Sequence, residues 1–212
     1  MNKSNVNIPN PSLLEIALDS QSPRRRELLL SAGFEFRLFP VKVSEIFDEN
    51  LNAGQVVSHL ATIKAQAALK EHKELRSKGF LVLGADTLVF FEGRPLGKPE
   101  NAQEAVRFLR LLSAKTHSVM TGLCLLESGS TKFWSGAVET LVEFRALTET
   151  EIYEYVASGE PMDKAGAYGL QGEGRKFVSK YIGSWSNVVG LPMERLEQAL
   201  SENGWNVRRR AP

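Results

Sequence analysis

At 212 residues the chain is long enough to bury a full core, either as one domain or as two closely joined lobes. A composition of 42% hydrophobic and 24% charged residues excludes a disordered or fibrous chain, and a formal net charge of +1 argues against bulk electrostatic capture of nucleic acid or a membrane. The single Cys124 excludes an internal disulfide framework, suits a reducing compartment, and reads most simply as a small buried hydrophobe.

No run approaches a membrane span, and residues 1–13 lack the basic-then-apolar order of a secretory signal, so the expected location is cytoplasmic. Residues 1–13 read as a flexible N-terminal extension and 14–205 as a single α/β domain. Residues 206–212, with Arg208-Arg209-Arg210, read as a solvated basic tail.

The apolar run from Leu14 to Leu18 ends at Asp19 and predicts a first strand. A helix then opens with Ser22 as cap and Pro23 at its first position. Leu28 to Leu30 begin its buried face, and Gly33 stops it. Arg24, Arg25 and Arg26 stand in its first turn, where the helix dipole disfavours each cation by about 0.3–1 kcal/mol. Free N–H groups and guanidinium forks there suit a phosphate. A solvated basic turn that touches nothing accounts for the same residues, and this stretch does not choose between the two.

Phe34 to Phe39 alternates as a strand with one buried face would. After the acidic stretch Glu45, Asp48 and Glu49, a helix is expected from about Gln55 to His72. Its apolar stripe of Val57, Leu60, Ala61 and Ala68 includes Lys64. Lysines on such stripes usually extend to solvent, and the stripe alone favours that reading over a ligand role. Phe80 to Phe91 is a nearly continuous apolar run with Asp86 in its middle, hence a buried strand whose carboxylate needs a partner. A carboxylate at a break in a central strand, close after Gly84, suits holding a metal or activating water; capping a turn is the alternative.

Glu92-Gly93 predicts a hairpin turn. The following Gly97-Lys98-Pro99 is not a P-loop, because Gly93 and Gly97 enclose three residues and Pro99 replaces the hydroxyl residue, yet Lys98 is a positioned cation. Asn101 and Glu104 start an amphipathic helix. His117 to Leu126 and Lys132 to Arg145 are two long strands, with His117 read as a structural hydrogen-bonding group. Thr148 and Glu151 cap a further helix that Gly159 stops. Residues 159–174 hold five glycines among Lys, Asp, Tyr and Gln and read as a shaped loop that approaches a ligand. A second loop over Gly183 to Asn187 precedes the last helix, and the whole is a mixed α/β protein.

The segments Ser20-Gln21-Ser22-Pro23-Arg24-Arg25, Gly84-Ala85-Asp86-Thr87, Leu96-Gly97-Lys98-Pro99, Asp163-Lys164-Ala165-Gly166-Ala167-Tyr168 and Asn187-Val188-Val189-Gly190-Leu191-Pro192 occur in the order found in the Maf family of nucleoside triphosphate pyrophosphatases. Leu112-Ser113, His117, Thr121-Gly122 and Gln171-Gly172 add to the match, so the sequence resembles that family from about residue 14 to 200. The resemblance implies a mixed central sheet with flanking helices and two lobes around a cleft, similar to the inosine triphosphate pyrophosphatases. It also implies hydrolysis of a nucleoside triphosphate to monophosphate and pyrophosphate with a divalent cation, Mg2+ or Mn2+. A homodimer is a possible assembly.

Carried over residue by residue, the resemblance implies a catalytic set of Asp86, Glu45 and Lys98, with Glu45 and Asp86 as metal ligands. The implied substrate-binding set is Ser20, Arg24, Arg25, Lys64, Thr87, Lys164 and Gln171. Whether Asp86 is general base or metal ligand stays open. The family branch acting on dTTP and UTP is similar to this chain in carrying Arg, Thr and Gln where Arg24, Thr87 and Gln171 stand; the 7-methyl-GTP branch carries Trp, Gln and Glu. The other function attached to the family, a nucleotide-binding regulator of septum formation, is the alternative. Three positions depart from the family pattern. Asp19 stands in place of Ala, where it could join the metal shell or order an arginine; Ser44 stands in place of Asp and Ala114 in place of Gly.

Overall fold

The computed structural model describes residues 13–48 and 50–210, so the expected extension up to Ser12, Glu49 and the last two residues lie outside it. In chain order the elements are β1 (Glu15–Asp19), α1 (Pro23–Ser31), β2 (Phe36–Leu38), α2 (Ala53–Glu71), β3 (Phe80–Phe91), β4 (Arg94–Leu96) and α3 (Ala102–Leu112). There follow β5 (Thr116–Glu127), β6 (Phe133–Phe144), α4 (Glu149–Ala157), β7 (Val178–Ile182), α5 (Trp185–Val189) and α6 (Met193–Glu202), with short 3-10 turns between α4 and β7. The seven strands form one mixed sheet in the order β2-β1-β3-β5-β6-β7, with β4 paired to β3. Strand β1 runs parallel to β2 and β3, and the remaining pairs are antiparallel.

Strand β3 organises the molecule because it is longer than the strands that flank its outer edge. Its first part, Phe80 to Gly84, pairs with β1, and its last part, Val89 to Phe91, pairs with β4. Between Ala85 and Leu88 neither strand covers that edge, although pairing with β5 continues without interruption. The expected break in the strand is therefore a gap in its neighbours, and Asp86 and Thr87 stand in it.

The two faces of β3 meet different partners, as the two-residue period requires. On one face, Leu81, Leu83 and Ala85 pack with α1 and α6 through Leu28, Leu29, Leu196 and Leu200. Further along the same face, Val89 and Phe91 pack with α3 and α4 through Phe108, Leu109, Ile152 and Tyr155. Thr87 lies between these clusters, and a cleft opens over it. On the opposite face, Val82 lies under Ala61, Ala65 and Ala68 of α2. The helix comes close because β3 and β5 have no side chain where it crosses. A Cβ on Gly84 would sit 2.3 Å from the Ala61 carbonyl oxygen, and one on Gly122 2.0 Å from that of Val57.

Several local expectations are corrected. Leu30 is exposed, and Ser22 caps α1 by position only; its own N–H donates to Ser20 Oγ at 3.1 Å. Strand β2 is three residues long, because Phe39 breaks the alternation to pack edge-on against His72 and Phe80. Residues Trp185–Val189, read as part of a loop, form a helical turn capped by Ser184. The segment read as a solvated tail is tied to the sheet: Val207 is buried and bridges to Leu14, and Arg209 bridges to Phe34 and pairs with Glu197. Ala114 adopts φ +56°, the left-handed region that Gly enters without strain.

His117 is the structural group expected. Its Nε2 shares a 2.7 Å hydrogen bond with the hydroxyl of Tyr168, and both rings pack edge-on against Phe144, pinning the glycine-rich segment to the sheet. Burial pulls the His117 imidazole from an ordinary 6.5 down to about 4, so it folds neutral. A histidine with a depressed folded value contributes stability that is complete above the unfolded value and is lost as pH falls through 6.5 toward 4. Denaturant titrations at pH 7 and pH 4.5 should show wild type losing about 2.5 kcal/mol more than His117→Gln. Equal acid losses in the two proteins would contradict a buried neutral imidazole.

Candidate active site

The gap beside β3 is the floor of a cleft enclosing about 880 Å³, mouth included. Arg24, Arg25, Glu45, Lys64, Asp86, Thr87, Lys98, Lys164 and Gln171 all line it, and an adjoining recess carries on to Ser20 and Asp19. All ten residues expected from the sequence therefore border one continuous space, although they come from six separate stretches of chain.

Its centre is a buried ion pair. Asp86 projects from β3 toward α2, where the ammonium of Lys64 donates to its Oδ1 and also to Glu45 Oε1 at 2.7 Å. Lys64 thus does not run out to solvent; the close approach of α2 at Gly84 holds it inward over the carboxylate. Asp86 Oδ2 is buried and has no hydrogen-bond partner among the described residues. Glu45, half exposed on the loop after β2, closes the pair from the outside.

Arg25 is a strut more than a free cation. Its Nε donates to the Gly190 carbonyl at 2.7 Å, Nη1 to Ser20 Oγ at 3.3 Å and Nη2 to Thr87 Oγ1 at 3.1 Å. Burial lowers its guanidinium from the ordinary value, and the charge of Asp86 opposes that shift. Thr87 is likewise committed, sharing a 3.0 Å hydrogen bond with Thr121, its partner across the β3–β5 ladder. Thr121 in turn donates to the Asn187 carbonyl, and Asn187 donates to Val119 O and Thr140 Oγ1, which locks α5 onto β5 and β6. That lock sets Val188, Val189 and Gly190 as one wall of the cleft.

The other wall comes from the glycine-rich segment. Asp163 reaches across to α1, accepting from Arg24 Nη1 at 2.7 Å, while its Oδ1 accepts from Lys164 at 2.7 Å. Burial pushes the Asp163 carboxyl up, but the hydrogen bonds from Lys164 and Arg24 outweigh it and leave it below its ordinary value. Lys98 is exposed at the rim and makes no ion pair among the described residues. Its neighbour Gly97 accepts from Gly166 N at 3.0 Å, which joins the β4 end to this wall. Gln171 lies half-buried with Tyr168 and Leu170.

Sequence reasoning missed Asp163 and Thr121 as site residues. Each is one member of a pair separated by 139 or 34 positions, and no local pattern records such a pairing. Asp19, noted only as a departure, is buried at the end of β1. Its Oδ1 accepts from Val41 N at 3.0 Å, and burial raises its carboxyl to about 6 against the opposing pull of that bond and of Lys64 and Arg25.

Fold and site together define a mixed α/β protein whose cleft and adjoining recess present several cations around two buried carboxylates, Asp86 and Asp19. A family profile described as Maf-like protein matches residues 15–203, and the chain belongs to this family. A dTTP/UTP pyrophosphatase of Bdellovibrio bacteriovorus is 50% identical over 187 residues, covering 88% of this chain and 97% of that protein. Proteins of the same description from Desulfitobacterium hafniense and Caldicellulosiruptor bescii are 46% and 41% identical, each covering 91% of this chain and 86% and 96% of their own lengths.

Replacing Lys64 by Met keeps the stem and removes the charge, leaving Asp86 buried and uncompensated. Lys64→Met should lose about 3 kcal/mol of stability at pH 7, with most of it restored in Lys64→Met/Asp86→Asn. Equal stability of the two variants in urea titrations would mean that the ion pair does not hold the site together.

Proposed function

We propose that the chain hydrolyses dTTP and UTP between the α- and β-phosphates, releasing the nucleoside monophosphate and pyrophosphate in the cytoplasm. The observation that carries this reading is Asp86: one oxygen is fixed by Lys64, and the other is buried in a cation-lined cleft without a partner among the described residues. A triphosphate carries about four negative charges near neutral pH, so its cleavage needs positioned cations more than covalent chemistry. Arg24 of α1 supplies them from one side and Lys98 and Lys164 from the wall joined through Gly97 and Gly166, and Arg25 with Ser20 shapes the turn between β1 and α1.

In this reading the attacking water gives its proton to a cleft carboxylate, Asp86 where it acts as general base or Glu45 where Asp86 Oδ2 holds the cation, as the water oxygen bonds to the α-phosphorus. The bond from that phosphorus to the bridging oxygen breaks, and pyrophosphate leaves with the electron pair. Lys64 keeps Asp86 oriented throughout, and Lys98 and Lys164 face the leaving phosphates. Glu45 and Asp86 are the residues that would hold a divalent cation, Mg2+ or Mn2+. The donor set fits: Asp86 has a buried free carboxylate oxygen, the ligand such hard cations take. When bound, that ion neutralises phosphoryl charge and acts as a Lewis acid.

Gln171 offers both a donor and an acceptor, matching the O4 and N3–H edge of uracil or thymine. Arg24 remains in the specificity set. Thr87 acts there through Arg25, since its hydroxyl is already engaged. Pyrophosphate release from a nucleotide panel with Mg2+ or Mn2+ tests the proposal. dTTP and UTP should turn over faster than 7-methyl-GTP, and Asp86→Asn should lower kcat by about 10²–10⁴-fold. Nucleotide binding without release in wild type, or fastest turnover of 7-methyl-GTP, would overturn it.

A further inference from the structure

We propose that Asp19, which stands where the family pattern has Ala, is a protein ligand of the divalent cation and shares it with Asp86. The inference rests on the reading of the cleft as a metal-assisted hydrolase site. Asp19 is the last residue of β1 and lies in register with Gly84 of β3. Asp86 is two positions further along β3 and therefore on the same face, the one that α2 covers. A strand spacing of about 4.8 Å and a two-residue rise of about 6.6 Å put the two Cα atoms about 8 Å apart. Two aspartate side chains span that distance onto one ion with bonds of about 2.1 Å each.

Both residues are more than nine-tenths buried, with exposures of 4% and 5%. In each, one oxygen has a protein donor and the other has none. Asp19 Oδ1 takes Val41 N–H, Asp86 Oδ1 takes Lys64, and Oδ2 of each is buried without a partner among the described residues. A buried carboxylate oxygen left unpaired is costly, so one at Asp86 in the cleft and one at Asp19 in the adjoining recess point to a ligand that supplies positive charge.

The other role open to Asp19, ordering an arginine, does not match the geometry. The hydrogen bonds of Arg25 go to Gly190, Ser20 and Thr87, and those of Arg24 to Asp163. Among the described residues no three acidic, His or Cys side chains close on a single point. Water and phosphate oxygens complete the shell, the usual arrangement for Mg2+ held by one or two carboxylates. The chain would therefore take up its cation before nucleotide arrives.

The test is Mn2+ titration of the nucleotide-free protein, read by the loss of the free Mn2+ electron paramagnetic resonance signal, with Asp19→Asn and Asp19→Ala alongside. Thermal melts in EDTA check that the variants fold. Both should bind Mn2+ about tenfold or more weakly than wild type. Crystals of wild type grown with MnCl2 give a second measure, with the anomalous peak expected about 2.1 Å from Asp19 Oδ2. Unchanged Mn2+ affinity in folded variants overturns the assignment, as does a peak on Asp86 with Asp19 left on Val41 alone. If wild type still releases pyrophosphate from dTTP, either failure leaves the hydrolase reading standing. Asp19-dependent Mn2+ binding without turnover would support the assignment and remove that reading.

Discussion

A carboxylate in the middle of a buried strand is the constraint on which this molecule turns. Asp86 cannot stay charged there alone, because desolvation of an isolated carboxylate costs several kcal/mol. Lys64 compensates it, and Lys64 arrives only because α2 lies almost on the backbone of β3 and β5 at Gly84 and Gly122. The register of the sheet, the height of the helix and the ionisation of the site are thus one problem with one solution. The unequal lengths of β1, β3 and β4 then expose this pair to a cleft at the point where neither β1 nor β4 covers the edge.

The cations around the cleft are not equivalent, and their partners explain the difference. Arg25 spends its donors on Gly190, Ser20 and Thr87, so it fixes the first turn of α1 against the wall made by α5. One exposed carboxylate, Asp163, holds Arg24 from across the cleft and Lys164 beside it in the chain, and exposed ion pairs of this kind are worth about 0–1 kcal/mol. Lys98 stands at the rim beside Gly97, whose carbonyl is held by Gly166 N–H. In the proposed reaction such positioning would meet in advance part of the electrostatic cost of gathering a polyanion.

What could be read from the sequence follows the range of each signal. The strand around Asp86, the capping box at Thr148 and Glu151 and the Glu92-Gly93 turn are encoded within a few residues, and the fold contains them. The stripe of α2 was legible too, but not the direction of Lys64: snorkelling is the rule for a lysine beside solvent, and Gly84 and Gly122 removed the solvent. The alternation over Phe34 to Phe39 failed because Phe39 answers to a tertiary pocket beside His72. Asp163 and Thr121 act only through partners distant in the chain, and Val207 is buried only because β1 begins beside it. Family resemblance gathered the ten cleft residues without any geometry; the roles among them, strut or free charge, needed the fold.

The most direct measurement is a crystal structure with a dTTP analogue whose α–β bridging oxygen is replaced by a methylene or imido group. The account predicts the α-phosphorus beside Asp86 Oδ2, the terminal phosphates among Arg24, Lys98 and Lys164, and the thymine edge hydrogen-bonded to Gln171. An α-phosphate remote from Asp86, or a base seated in the Ser20 recess with phosphates toward Gln171, would contradict it.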